Sequence, residues 1–112
     1  MAAKKGGKNT PEYKTMIEYN TAITNALSAN LTGMGEALNK SALIPRNVAQ
    51  EANQPTGMTY EEKAAKMRNI VTDKVELNPD RFNDFCDVLE KNEQGELATT
   101  LRDYCTSLIK KV

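Results

Sequence analysis

Apolar residues along this chain recur in steps of three and four, the period of a helix with one buried stripe, and nowhere alternate in the two-residue rhythm of a strand. The first stripe takes Tyr13, Met16, Ile17, Ile23 and Leu27. With Thr10 as N-cap and Pro11 at the first helical position, the spacing predicts a helix to about Ala29. Leu31, Met34 and Leu38 mark a short second helix. Gly33 and Gly35 inside it each cost about 1 kcal/mol relative to alanine, which predicts fraying at its ends. A third short helix enters at Leu43-Ile44-Pro45 and presents Val48, Ala49 and Ala52; proline suits a first turn, where its missing N–H has no partner to lose. The segment from Asn53 to Gly57, with Pro55, reads as a loop.

The fourth helix has the clearest start. Thr59 and Glu62 stand three apart, the spacing at which a hydroxyl caps the third amide and a carboxylate reaches back to the cap. Behind them Ala64, Met67, Ile70, Val71 and Val75 form the stripe, with Lys63, Lys66, Asn69 and Asp73 outside it. Asn78-Pro79 opens a fifth helix carrying Phe82, Phe85, Cys86 and Leu89 on one side, and Gly95 ends that unit. The sixth runs from about Glu96 through Leu97, Leu101, Tyr104, Cys105 and Leu108 to a lysine-bearing last turn that suits the helix dipole. Six such stripes predict an all-α domain closing around one core over residues 11–112, preceded by a flexible basic tail, MAAKKGGKNT, over residues 1–10.

Composition narrows what such a domain can do. The 112 residues include 39% apolar and 27% charged side chains, enough to fold without disulfides or metals. Fifteen Lys and Arg are balanced by fifteen Asp and Glu, so no net field draws the chain to nucleic acid or anionic lipid. No apolar run approaches the roughly 20 residues of a bilayer span, which makes a cytoplasmic protein with no membrane partner the expectation. Cys86 and Cys105 read as reduced packing thiols, each beside leucines at helical spacing. The triplets opened by Asn30 and Asn39 match a glycosylation pattern that needs an export signal to matter.

Candidate chemistry is sparse. Histidine is absent from the sequence, which removes the commonest general base and metal ligand. Thr32-Gly33-Met34-Gly35 lacks the spacing and the lysine of a phosphate-binding loop, so its glycines read as loop or helix-end residues. Asp80, Asp84 and Asp87 recur along one helix face, but calcium needs six to eight converging oxygens, and a solvated face is the plainer reading. No catalytic residue, cofactor or metal is expected. A small helical nucleic-acid-binding domain is the alternative class; it would need a basic recognition face, whereas acidic and basic residues here are interspersed.

The order Leu43-Ile44, then Thr59-Tyr60-Glu61-Glu62-Lys63-Ala64, then Ile70-Val71, then Phe82-Asn83-Asp84-Phe85 and Val88-Leu89, with Leu97 to Tyr104 closing, resembles the caspase-recruitment (CARD) branch of the death-fold superfamily. The likeness covers about residues 11 to 108. It implies a six-helix antiparallel bundle in Greek-key order, homotypic binding to other death-fold domains, and a role as adaptor or regulator in apoptotic or innate-immune signalling. It further implies contacts from the first and fourth helices of one copy to the second and third of the next. On this chain the corresponding exposed charges are Lys14, Glu18, Lys63 and Lys66, facing Glu36, Arg46 and Glu51; Asp80, Asp84 and Asp87 would form another contact. Head-to-tail contacts of this kind build rings or helical filaments, and reversing Lys63 and Lys66 is expected to abolish assembly while leaving the helices intact.

Overall fold

The computed structural model describes residues 6–110, and there the first predicted helix proves to be two. Helix α1 (Pro11–Glu18) and helix α2 (Asn20–Ala29) are separated at Tyr19, whose backbone leaves the helical region at φ −104°, ψ 23°. Thr10 caps α1 as expected, its Oγ1 accepting the Tyr13 N–H at 3.1 Å. The break has a packing cause. Helix α1 lies on the last helix of the fold while α2 runs along the longest one, and a straight rod could not follow both directions. Tyr19 fixes the corner by setting its ring edge-on to Tyr104, centroids 5.3 Å apart. Ile17, expected inward, is left 46% exposed by the same turn.

The remaining elements are α3 (Leu31–Lys40), α4 (Arg46–Glu51), α5 (Tyr60–Leu77), α6 (Arg81–Lys91) and α7 (Gly95–Lys110), with no strand among the described residues. The domain is therefore all-α, with seven helices rather than six. Expected fraying in α3 is not seen. Its two glycines lie in the helix interior: Gly33 leaves room for the Asn30 side chain that caps its amide, and Gly35 lets α3 approach its neighbours. A Cβ at Gly35 would sit 3.1 Å from Met67 Cε and 3.5 Å from the Ala49 carbonyl oxygen. The weakness in helix propensity is thus offset by close packing.

Helix α5 starts where its sequence says, with both halves of the capping box formed at 3.1 Å. Helix α6 starts two residues later than Asn78-Pro79 suggests. Asn78 Oδ1 takes the Asp80 N–H at 3.1 Å, and a turn through residues 78–80 precedes the first helical residue, Arg81. Of the segment read as a tail, residues 1–5 lie outside the described residues, as does Lys111 of the last turn; the Gly7 N–H donates to the Glu76 carbonyl at 2.7 Å.

All seven helices close on a single interior. Met16, Ile23, Leu27, Met34, Leu38, Met67, Val71, Val75, Phe85, Leu89 and Leu101 have no exposed surface. Besides the contacts between consecutive helices, α1 packs on α7, α2 on α5 and α3 on α6. The Cα radius of gyration, 13.7 Å, is close to the value of about 13 Å for one domain of this length.

Candidate functional site

Ten charged residues were expected on the outer faces, and the fold divides them into two groups. Half hold the domain together. Lys66 on α5 donates to both carboxylate oxygens of Glu51 on α4, at 2.9 and 3.1 Å. Asp84 accepts from Arg81 at 2.8 Å, and Asp87 from Arg102 of α7 at 2.8 Å. Lys63 is not exposed at all in the expected sense: 6% of its surface is accessible, and its Nζ donates to the Gln54 carbonyl at 2.8 Å. Reversing Lys63 and Lys66 would therefore damage the link between α5 and the α4 end before it reported on any partner. Helix α5 is a longer-range fastener than its stripe suggests.

The other half stands free of ion pairs among the described residues. Lys14 and Glu18 lie one turn apart on α1, both exposed, as is Ile17 beside them. Glu36 on α3 and Arg46 at the start of α4 border a groove of about 270 Å³, with Lys40 beside them. Asp80 sits at the N-cap position of α6. Two mixed-charge faces result, one on α1 and one across α3 and α4. Sequence reasoning missed Lys40, although its position four residues after Glu36 puts both on one side of a helix. It also missed three arginines that act as clamps: Arg68 donates to Thr24 Oγ1 at 2.7 Å, Arg81 to the Ser41 carbonyl at 2.5 Å, and Arg102 to Glu90 as well as Asp87. No local signal marks these, because their partners lie 12 or more residues away in all but the shorter contacts.

Asp80, Asp84 and Asp87 do not converge, and among the described residues no group of three His, Cys, Asp or Glu side chains is placed to hold a metal ion. Nor, among them, is any helix long and apolar enough to cross a membrane. Both cysteines are buried and neither forms a disulfide. Burial pushes the Cys86 thiol up from 9.0 to about 12, against the pull of the Arg102 guanidinium and with smaller contributions from Cys105, Asp87 and Glu90. A thiol that stays protonated in the folded chain but ionises near 9 when unfolded makes the unfolded state bind fewer protons between those values. Stability then falls as pH rises through the window from 9 to about 12, by up to about 1.4 kcal/mol per unit. Urea midpoints measured at pH 8, 9 and 10 (roughly spanning the onset) should show a steeper decline in the native chain than in Cys86→Ala; parallel declines would contradict it.

The whole is an all-α domain whose exterior carries two mixed-charge faces and whose thiols are internal. Comparison with protein-family models, with curated proteins and with solved structures finds no match to this chain.

Proposed function

We propose that this domain is a protein–protein interaction module of the death-fold, CARD-like type, acting in the cytoplasm as an adaptor or regulator of apoptotic or innate-immune signalling through homotypic assembly. The observation that carries the reading is the separation of its surface charges. Internal ion pairs take up Glu51, Lys66, Asp84 and Asp87, whereas Lys14 and Glu18 on one face and Glu36 and Arg46 on another stand outside them. The α1 face bears Lys14 and Glu18 and the α3–α4 face bears Glu36, Lys40 and Arg46, so Lys14 of one copy can meet Glu36 of the next while Glu18 meets Arg46 or Lys40. The faces differ, so the contact does not close on itself as a two-fold dimer does, and repetition gives a ring or filament. The non-sequential neighbours, α1 on α7 and α3 on α6, support a Greek-key bundle as its frame.

Exposed ion pairs contribute only about 0.2–1 kcal/mol each, so charge alone would not hold such a contact. Ile17, 46% exposed beside Lys14 on α1, supplies apolar area to that face, and desolvated apolar anchors are where binding energy concentrates. Sedimentation across concentration should show assemblies beyond the monomer for the native chain. Lys14→Glu and Arg46→Glu should each weaken assembly about tenfold or more with unchanged helical circular dichroism, and Lys14→Glu mixed with Glu36→Lys should regain part of it. A native chain that stays monomeric, or variants that assemble like it, would overturn the proposal.

A further inference from the structure

The segment that leads into α1 makes a contact of its own. The Gly7 N–H donates to the Glu76 carbonyl at 2.7 Å, in the last turn of α5, where helix carbonyls have no intrahelical partner. Both glycines before α1 are needed for this approach. A Cβ at Gly6 would collide with the Glu76 carbonyl oxygen and stand 2.7 Å from that of Leu77, and Gly7 has φ +125°, where a side chain is strained. Thr10 carries the contact into α1: its Oγ1 donates to the Gly7 carbonyl at 3.2 Å and accepts the Tyr13 N–H at 3.1 Å. Gly6 and Gly7 thus strap the start of α1 to the end of α5.

Between that strap and the corner at Tyr19, α1 is thinly anchored. Met16 is the apolar side chain it encloses completely; Tyr13 is half-buried and Ile17 is exposed. Glu12 and Thr15 are enclosed too, but the Thr15 hydroxyl turns to the Pro11 carbonyl of its own helix at 2.7 Å. Helix α2, by contrast, encloses Ile23, Ala26 and Leu27 and packs along α5. The corner itself is held from the far side: the Ile23 N–H donates to the Tyr19 carbonyl at 2.9 Å, and the Tyr19 ring meets Tyr104 edge-on. Its backbone already lies outside the helical region, so rotation at one residue can move α1 without disturbing α2.

We propose that α1 is a hinged arm: it pivots at Tyr19, is latched to the end of α5 by Gly6 and Gly7, and opens as a unit while α2 to α7 stay folded. A part of a fold with few buried apolar contacts opens at lower free energy than the core. Lys14, Glu18 and Ile17 ride on this arm, so the α1 face keeps its shape only while the latch is closed. Anything that binds the open arm draws the population away from assembly. That regulatory consequence rests on the assembly reading above; the hinge does not.

Native-state hydrogen exchange, followed by amide NMR in urea below the unfolding transition, tests it. The Met16 and Ile17 amides should exchange about tenfold or more faster than Val71 of α5, and with little dependence on urea, because opening the arm exposes little surface. Gly7→Ala, which forces a Cβ onto φ +125°, should speed Met16 and Ile17 about fivefold or more. Leu38→Ala opens a void in α3, which packs on α2, α4, α5 and α6. It should speed Val71 about thirtyfold or more yet leave Met16 and Ile17 within about twofold, since it does not touch the latch. Should that variant lose its dispersed spectrum, Val48→Ala in α4 gives the same contrast at a smaller scale. Met16 and Ile17 exchanging no faster than Val71, a core variant that speeds all three alike, or an α1 unmoved by Gly7→Ala would each overturn the proposal. None of these readings depends on assembly, so a chain that stays monomeric removes the face and leaves the hinge to be decided by exchange.

Discussion

Replacing Phe85 with alanine is expected to cost about 3–5 kcal/mol of folding stability, the range for removing a large aromatic side chain from a core that cannot collapse around the gap. Phe85 has no exposed surface and is the bulkiest of the fully buried side chains. It lies on α6, the helix that joins α3 and α7, so the void opens between three elements at once. A domain of this size has a total stability of about 5–15 kcal/mol, and the loss would lower the thermal midpoint by on the order of 15–25 °C. Leu77→Ala is the matching control. That leucine is 79% exposed, and its removal should change stability by no more than about 0.5 kcal/mol. Urea unfolding of both variants checks the contrast; equal losses would mean that α6 does not sit as described.

The second large effect is expected at Gly35, where two opposing contributions can be separated by size. Alanine there gains about 1 kcal/mol in helix propensity, while its Cβ meets Met67 Cε at 3.1 Å, the flexible end of an adaptable side chain. Gly35→Ala should therefore be close to neutral. Valine adds two methyl groups toward Met67 and the Ala49 backbone 3.5 Å away, where backbone cannot yield, and overpacking of about 2–3 kcal/mol wins. Combining Gly35→Val with Met67→Ala should cost less than the sum of the two separate losses, because one change makes room for the other. Strict additivity in chemical denaturation would place Gly35 away from Met67.

Where the sequence was legible, the physics was local. Thr59 and Glu62 can be recognised because a capping box is completed within four residues, and Thr10-Pro11 likewise. The apolar stripes of α5, α6 and α7 were readable because a helix of 11 to 18 residues repeats its period several times. The break at Tyr19 was not, since Ile17 and Ile23 flank it at spacings compatible with one helix, and it is α5 and α7 that decide the bend. Gly35 misled for a similar reason: propensity counts what a residue does to its own helix, not how near it lets α4 and α5 come. The candidate surface was half legible. Exposure of Lys14, Glu18, Glu36 and Arg46 followed from periodicity, but the burial of Lys63 and the engagement of Lys66 with Glu51, 15 residues distant, depend on where the loop after α4 returns. Charges on a helix face look alike in sequence whether they meet water, a neighbouring helix or a ligand.

The corner at Tyr19 also orders events in time. Helix α1 is synthesised before α7, on which it packs; at about 5–20 residues per second, ~5–20 s separate the two. Through that interval Met16 has no completed wall to rest against, and α2 can settle on α5 while α1 still swings from Tyr19. The nascent chain thus gains most of its core before α1 is tied down, and a factor that meets it during synthesis meets a loose α1.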